Sequence, residues 1–170
     1  SVVDPFVALA YSIDFLGHDD HLVLGQLEER EYATLLPLAG YLDGVAINQP
    51  EAVRKHMKTA PQDVLMGLES PLVGLLTGHT PGVGGVRGAI PKALDTLSMF
   101  DMVIFGHDTQ ESHRRLGAAL GMHETYMPLV SVPPHVQAMA DALRDVPVLE
   151  VALENDLIVY HCLQQATEAA

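Results

Sequence analysis

Apolar residues in this chain fall into short continuous runs, separated by stretches with helical spacing. The runs at 6–13 (FVALAYSI), 45–48 (VAIN), 63–68 (DVLMGL), 101–105 (DMVIF), 126–132 (YMPLVSV), 146–153 (VPVLEVAL) and 157–162 (LIVYHC) predict strands. Between them, Tyr32, Leu35, Leu36, Ala39 and Leu42 repeat at helical intervals, with Pro37 kinking that helix or marking its start and Gly44 suiting its left-handed end. Residues 49–60 predict a second helix, with Asn48 as N-cap, Pro50 in the first turn, and Val53 and Met57 one turn apart. Further helices are predicted over 91–99 (with Ile90, Leu94 and Leu97), 109–120 (Leu116 and Leu120, stopped by Gly121) and 133–145 (Val136, Met139 and Leu143).

Strands that are continuously apolar are covered on both faces, and helices between them imply parallel pairing. The expected fold is one α/β domain over residues 1–170: repeated βα units with a mostly parallel sheet, either open and doubly wound or shortened and barrel-like. Six or seven strands favour the open sheet unless a partner chain completes a barrel.

In such folds ligands gather at the C-terminal ends of the strands. Two Gly-His-Asp stretches fall there, IDFLGHDDH at 13–21 and VIFGHDTQESH at 103–113. Asp14 ends an apolar run, where a carboxylate is costly unless paired or functional. Asp14, His18 and His107 are therefore candidates for moving protons, and His18, Asp20, His21 and Asp108 for holding a divalent metal. Asp108 has a plainer role open to it, since Asp108 and Glu111 form a capping box at a helix start.

A second candidate is the glycine-rich segment GHTPGVGGVRGAIPKAL at 78–94. Gly84 and Gly85 leave backbone N–H groups unobstructed, a helix follows, and Arg87 and Lys92 supply cations, the combination that holds phosphate or carboxylate. It lacks the GK[ST] of a Walker loop and the third glycine of a dinucleotide fingerprint. The plainer reading is a loop whose glycines permit turns.

Charge narrows the partners. Nine Lys and Arg against twenty-two Asp and Glu leave a formal charge of −13, which repels nucleic acid and anionic membrane surfaces. A single cysteine, Cys162, excludes an intramolecular disulfide and fits a reducing compartment; adjacent to His161 on a strand, it reads as a core thiol. No apolar run approaches the roughly 20 residues that span a bilayer. The opening residues have no basic n-region, so the expected location is cytoplasmic.

The stretches ALAYSIDFLGHDD and EREYATLLPLAGYLDGVAINQPEA, followed by GAIPKALDTLSMFDMVIFG and GMHETYMPLVSV, resemble the archaeal-type class I fructose-bisphosphate aldolases over residues 7–132. The resemblance implies a βα barrel and places Asp14 at that family's acidic position on the first strand. The family barrel is typically ~250 residues long, and its Schiff-base lysine lies on a late strand. Here the lysines are Lys55, Lys58 and Lys92, all on predicted helices or at their edges, so a relative with metal chemistry or without catalysis is implied.

Two functional expectations follow. One is a small-molecule enzyme of lyase or isomerase type, acting on a phosphorylated or carboxylated metabolite. The other is a non-catalytic ligand-binding or assembly module of the same fold. Both anticipate a small anionic ligand and a homo-oligomer.

Overall fold

Asp4 and Pro5 begin a helix where a strand was predicted. The carboxylate of Asp4 accepts the amides of Phe6 (2.9 Å) and Val7 (3.3 Å), and proline's missing N–H is no loss in a first turn. In the computed structural model the described residues are 2–17, 35–78, 86–100, 103, 105, 114, 117, 118, 121 and 131–168. They form helices α1 (Pro5–Gly17), α2 (Leu36–Tyr41), α3 (Pro50–Met57), α4 (Gln62–Gly67), α5 (Pro71–Thr77), α6 (Ile90–Ser98), α7 (Pro134–Arg144), α8 (Pro147–Ala152) and α9 (Glu154–Glu168), with a 3-10 turn at Val86–Ala89 before α6.

The α/β expectation is overturned. Among the described residues the one strand-like pairing is a parallel bridge between Val2 and Phe105; no sheet, barrel or strand-end rim forms there. Burial shows the physical reason. In FVALAYSI the buried side chains are Phe6, Val7, Leu9, Ala10 and Ile13, a helical stripe. In VPVLEVAL they are Val146, Leu149, Ala152 and Leu153, while Val151 is 74% exposed. In DVLMGL they are Val64 and Leu68, one turn apart, and Met66 faces outward. A continuous apolar run had concealed a period of 3.6. VAIN is a turn, with Val45 N–H donating to Leu42 O and Gln49 N–H to Ala46 O. LIVYHC lies inside α9. The strands predicted at 101–105 and 126–132 fall mostly outside the described residues.

The helices predicted over 49–60, 91–99 and 133–145 are present. Val53, Met57, Val136 and Leu143 are fully buried, and α3, α6 and α7 each carry proline in the first turn. The N-cap of α3 is Gln49 rather than Asn48. Pro37 starts α2 instead of kinking a longer helix. Gly44 takes the left-handed φ expected of it, +73°, and Gly121 has φ = +65°.

Two apolar clusters hold these helices. The larger joins α1, α2, α3, α4, α7 and α8 around Ile13, Leu38, Met57, Leu143 and Leu149, and α1 lies along α7. The smaller joins α5, α6 and α9 around Val73, Ala93, Leu97 and Val159, with Val2, Phe105 and Tyr160. Helix α9 also reaches α1 and α8. No helix among the described residues is long and apolar enough to cross a membrane.

Candidate functional site

Where α1 begins, α7 ends and α9 passes, three helices leave a cleft of ≈ 250 Å³. Its apolar wall is Val3, Val7 and Val132; its polar groups are Asp4, Gln137, Arg144, Tyr160 and Gln164. Arg144, in the last turn of α7, donates from Nη2 to Asp4 Oδ1 at 2.9 Å. Its guanidinium lies over the Phe6 ring, 5.1 Å from the centroid. The carboxylate that caps α1 thus also fixes Arg144, and the cation rests on an aromatic face.

Tyr160 is buried and meets the Phe105 ring edge-on, 5.9 Å between centroids. Burial pushes its phenol above the ordinary value; Asp4 adds to the rise and Arg144 opposes it. The phenol is therefore neutral at neutral pH and retains its O–H. Gln164 sits one turn along α9, and Gln137 on α7 holds Asp141 at 2.9 Å. Beside the valine wall the cleft is lined by a guanidinium, two carboxamides, a phenol and the Asp4 carboxylate, and Asp141 Oδ1 lies 3.9 Å from Arg144 Nε.

Other polar side chains tie helices together. Tyr41 Oη donates to His56 O at 2.8 Å while His56 Nε2 donates to Tyr41 O at 2.9 Å, a reciprocal clasp between α2 and α3. Arg54 Nη2 pairs with Glu51 at 2.7 Å on α3. At the α5–α9 junction, Asp156 accepts the amides of Leu72 and Val73, and Asn155 Nδ2 donates to Ser70 Oγ.

Of the residues singled out from sequence, Asp14 lies on α1 rather than at a strand end. Its Oδ1 is 3.2 Å from His135 Nε2 on α7, so the carboxylate is paired, at an exposed edge. Lys92 donates from Nζ to Thr77 O at 3.0 Å; it holds the C-terminal end of α5 against α6. Arg87 falls on the 3-10 turn Val86–Ala89. His18, Asp20, His21, Gly84, Gly85, His107 and Asp108 lie outside the described residues. Among those described, no group of three or more His, Cys, Asp or Glu side chains is placed to hold a metal ion. Among the described residues helices stand in place of strands, so the strand-end rim on which the metal-binding, lyase and aldolase-like readings were built does not form there. Residues 7–17 and 36–41, which carry part of the resemblance, are helical, so the barrel it implied is not formed there. Cys162, read as a core thiol, is exposed on α9.

Asp4, Arg144 and Tyr160 were missed from sequence. Asp4-Pro5 is itself a helix-start signature, and reading it so would have flagged the cap. Nothing local connects it to Arg144 or Tyr160, which are distant in the chain. Comparison with protein-family models, with curated proteins and with solved structures finds no match.

Proposed function

We propose that the chain is a non-catalytic helical binding module, with the cleft between α1, α7 and α9 as its ligand seat. The observation that carries this reading is the Arg144–Asp4 pair set beside the Tyr160 phenol against a valine wall. A guanidinium has five donors in a rigid fork, so the bond from Nη2 to Asp4 and the approach of Asp141 to Nε at 3.9 Å leave donors for a further acceptor. The ligand class is a short-chain carboxylate. At ≈ 250 Å³ the cleft is smaller than the roughly 300 Å³ at which drug-sized pockets begin. The charge of −13 repels anions at long range, so recognition acts at contact distance and strengthens when salt screens the repulsion.

The test is calorimetric titration and thermal shift with short carboxylates and their neutral amides at matched ionic strength. Carboxylates raise the melting temperature, amides do not, and Arg144→Gln removes the difference. Identical responses to acid and amide, or none at millimolar concentration, overturn the reading.

A second reading, self-association, is favoured by the exposure of Leu75 (83%), Met99 (84%), Phe100 (58%) and Val151 (74%), large apolar side chains that a partner surface would cover. Light scattering at low and high salt distinguishes it: a dimer that grows as salt screens the charge supports it, and a monomer throughout rejects it.

A further inference from the structure

The polar side chains of the cleft are each only partly used. Asp4 Oδ1 takes the amides of Phe6 and Val7 and the Nη2 of Arg144, whereas Asp4 Oδ2 accepts no hydrogen bond among the described residues. Gln137 donates from Nε2 to Asp141 Oδ1 at 2.9 Å, and its Oε1 has no donor among the described residues. Gln164 is used the other way round: its Oε1 accepts from His161 Nδ1 at 3.2 Å, and its Nε2 has no acceptor among the described residues. On Arg144, Nη1 is uncommitted among the described residues. The cleft therefore sets unused acceptors, Asp4 Oδ2 and Gln137 Oε1, beside unused donors, Arg144 Nη1 and Gln164 Nε2.

Charge decides which ligand these groups suit. Arg144 has two carboxylates near it, Asp4 at 2.9 Å and Asp141 at 3.9 Å, so the three groups together are negative, in a chain of formal charge −13. A simple carboxylate gains the guanidinium but meets the Asp4 charge beside it. A ligand with an ammonium next to its carboxylate has no net charge to be repelled. Its two ends match the Arg144–Asp4 pair in reverse order, carboxylate to guanidinium and ammonium to carboxylate.

We infer that the cleft is a site for a free α-amino acid with a small aliphatic side chain. The ligand carboxylate takes the donors of Arg144 Nη1 and Gln164 Nε2, and its ammonium donates to Asp4 Oδ2 and Gln137 Oε1. The aliphatic side chain lies on the wall of Val3, Val7 and Val132, and the ≈ 250 Å³ of the cleft limits its size. The inference rests on the reading of the cleft as a carboxylate seat and adds to it the ammonium and the apolar side chain.

The experiment is calorimetric titration of the chain with L-valine, isovalerate and L-valinamide at low and high salt. All three carry the isopropyl group; isovalerate lacks the ammonium and valinamide lacks the carboxylate. Valine should bind about 10-fold or more tightly than either. Its affinity should change little with salt, while that of isovalerate rises as the repulsion is screened. Asp4→Asn keeps a side-chain oxygen to cap α1 and removes the charge, and should bring valine down to the affinity of isovalerate. Isovalerate binding as tightly as valine overturns the amino-acid assignment and leaves the carboxylate seat standing, as does an Asp4→Asn variant that keeps the wild-type preference for valine. Valinamide binding as tightly as valine, or no binding of any of the three at millimolar concentration, overturns both. If Asp4→Asn fails to fold, the wild-type preference among the three compounds decides.

Discussion

Arg144 Nη2 lies 2.9 Å from Asp4 Oδ1, and the same oxygen receives the amides of Phe6 and Val7. One carboxylate therefore starts α1, joins it to the end of α7 and fixes the cation at the mouth of the cleft. Polar chemistry in this molecule repeatedly takes that form: a side chain from one helix satisfies the exposed backbone end of its own or another helix, as Lys92 and Asp156 do for α5.

The two roles of Asp4 separate by mutation. Asp4→Ala removes an N-cap of about 1 kcal/mol together with a partly exposed ion pair of roughly 0.5 kcal/mol. Arg144→Met removes the pair but keeps an apolar side chain near Phe6. Urea denaturation should rank Asp4→Ala as the less stable variant; equal losses would show that the capping bonds contribute nothing.

The register of α8 gives a sharper contrast. In a strand, positions 149 and 151 share a face; in a helix they point in widely different directions. Leu149 is fully buried and Val151 is 74% exposed. Leu149→Ala should cost about 2–5 kcal/mol, whereas Val151→Ser should stay within roughly 0.5 kcal/mol. Comparable losses at both positions would restore the strand.

That contrast explains what was legible in the sequence. Helices α3, α6 and α7 were readable because polar residues break their apolar positions into a clear 3.6-residue rhythm and proline marks each start. FVALAYSI and VPVLEVAL were not, because apolar residues also occupy positions away from the buried stripe: Ala8 and Val151 are exposed. Length and periodicity do not separate a short buried helix from a strand. The arbitrating marks were Pro5 and Pro147 in first turns. For the site, Asp14 was expected to be costly on an apolar strand, but on α1 it lies at an exposed edge, 3.2 Å from His135 Nε2. Arg144 was invisible as Asp4's partner because that contact exists only once α1 lies along α7.

Lys92, read from sequence as an anion-holding cation, donates to the Thr77 carbonyl. Lys92→Met retains the stem and removes the charge and donor at the C-terminal end of α5. Stability should fall by about 0.5–1.5 kcal/mol, and carboxylate titration of the cleft should be unchanged. A variant of wild-type stability that loses carboxylate binding would return Lys92 to the ligand site.

Ser70 provides the most discriminating test of the α5–α9 junction, because two effects oppose each other at one residue. Its Oγ accepts from buried Asn155 Nδ2 at 3.0 Å, and its φ is +50°. Both Ser70→Ala and Ser70→Gly delete the acceptor and leave the amide nitrogen unsatisfied, at a cost of about 1–3 kcal/mol. They differ in the backbone. At an ordinary φ, alanine is the more stabilising by about 0.4–1 kcal/mol because it restricts the unfolded chain. At a left-handed φ, alanine meets a steric penalty of roughly 1–2 kcal/mol that glycine escapes. The steric term is the larger, so both variants should be less stable than wild type, with Ser70→Gly the more stable of the two. Thermal melts of the pair settle it: alanine above glycine would mean that Ser70 does not hold the left-handed conformation in solution.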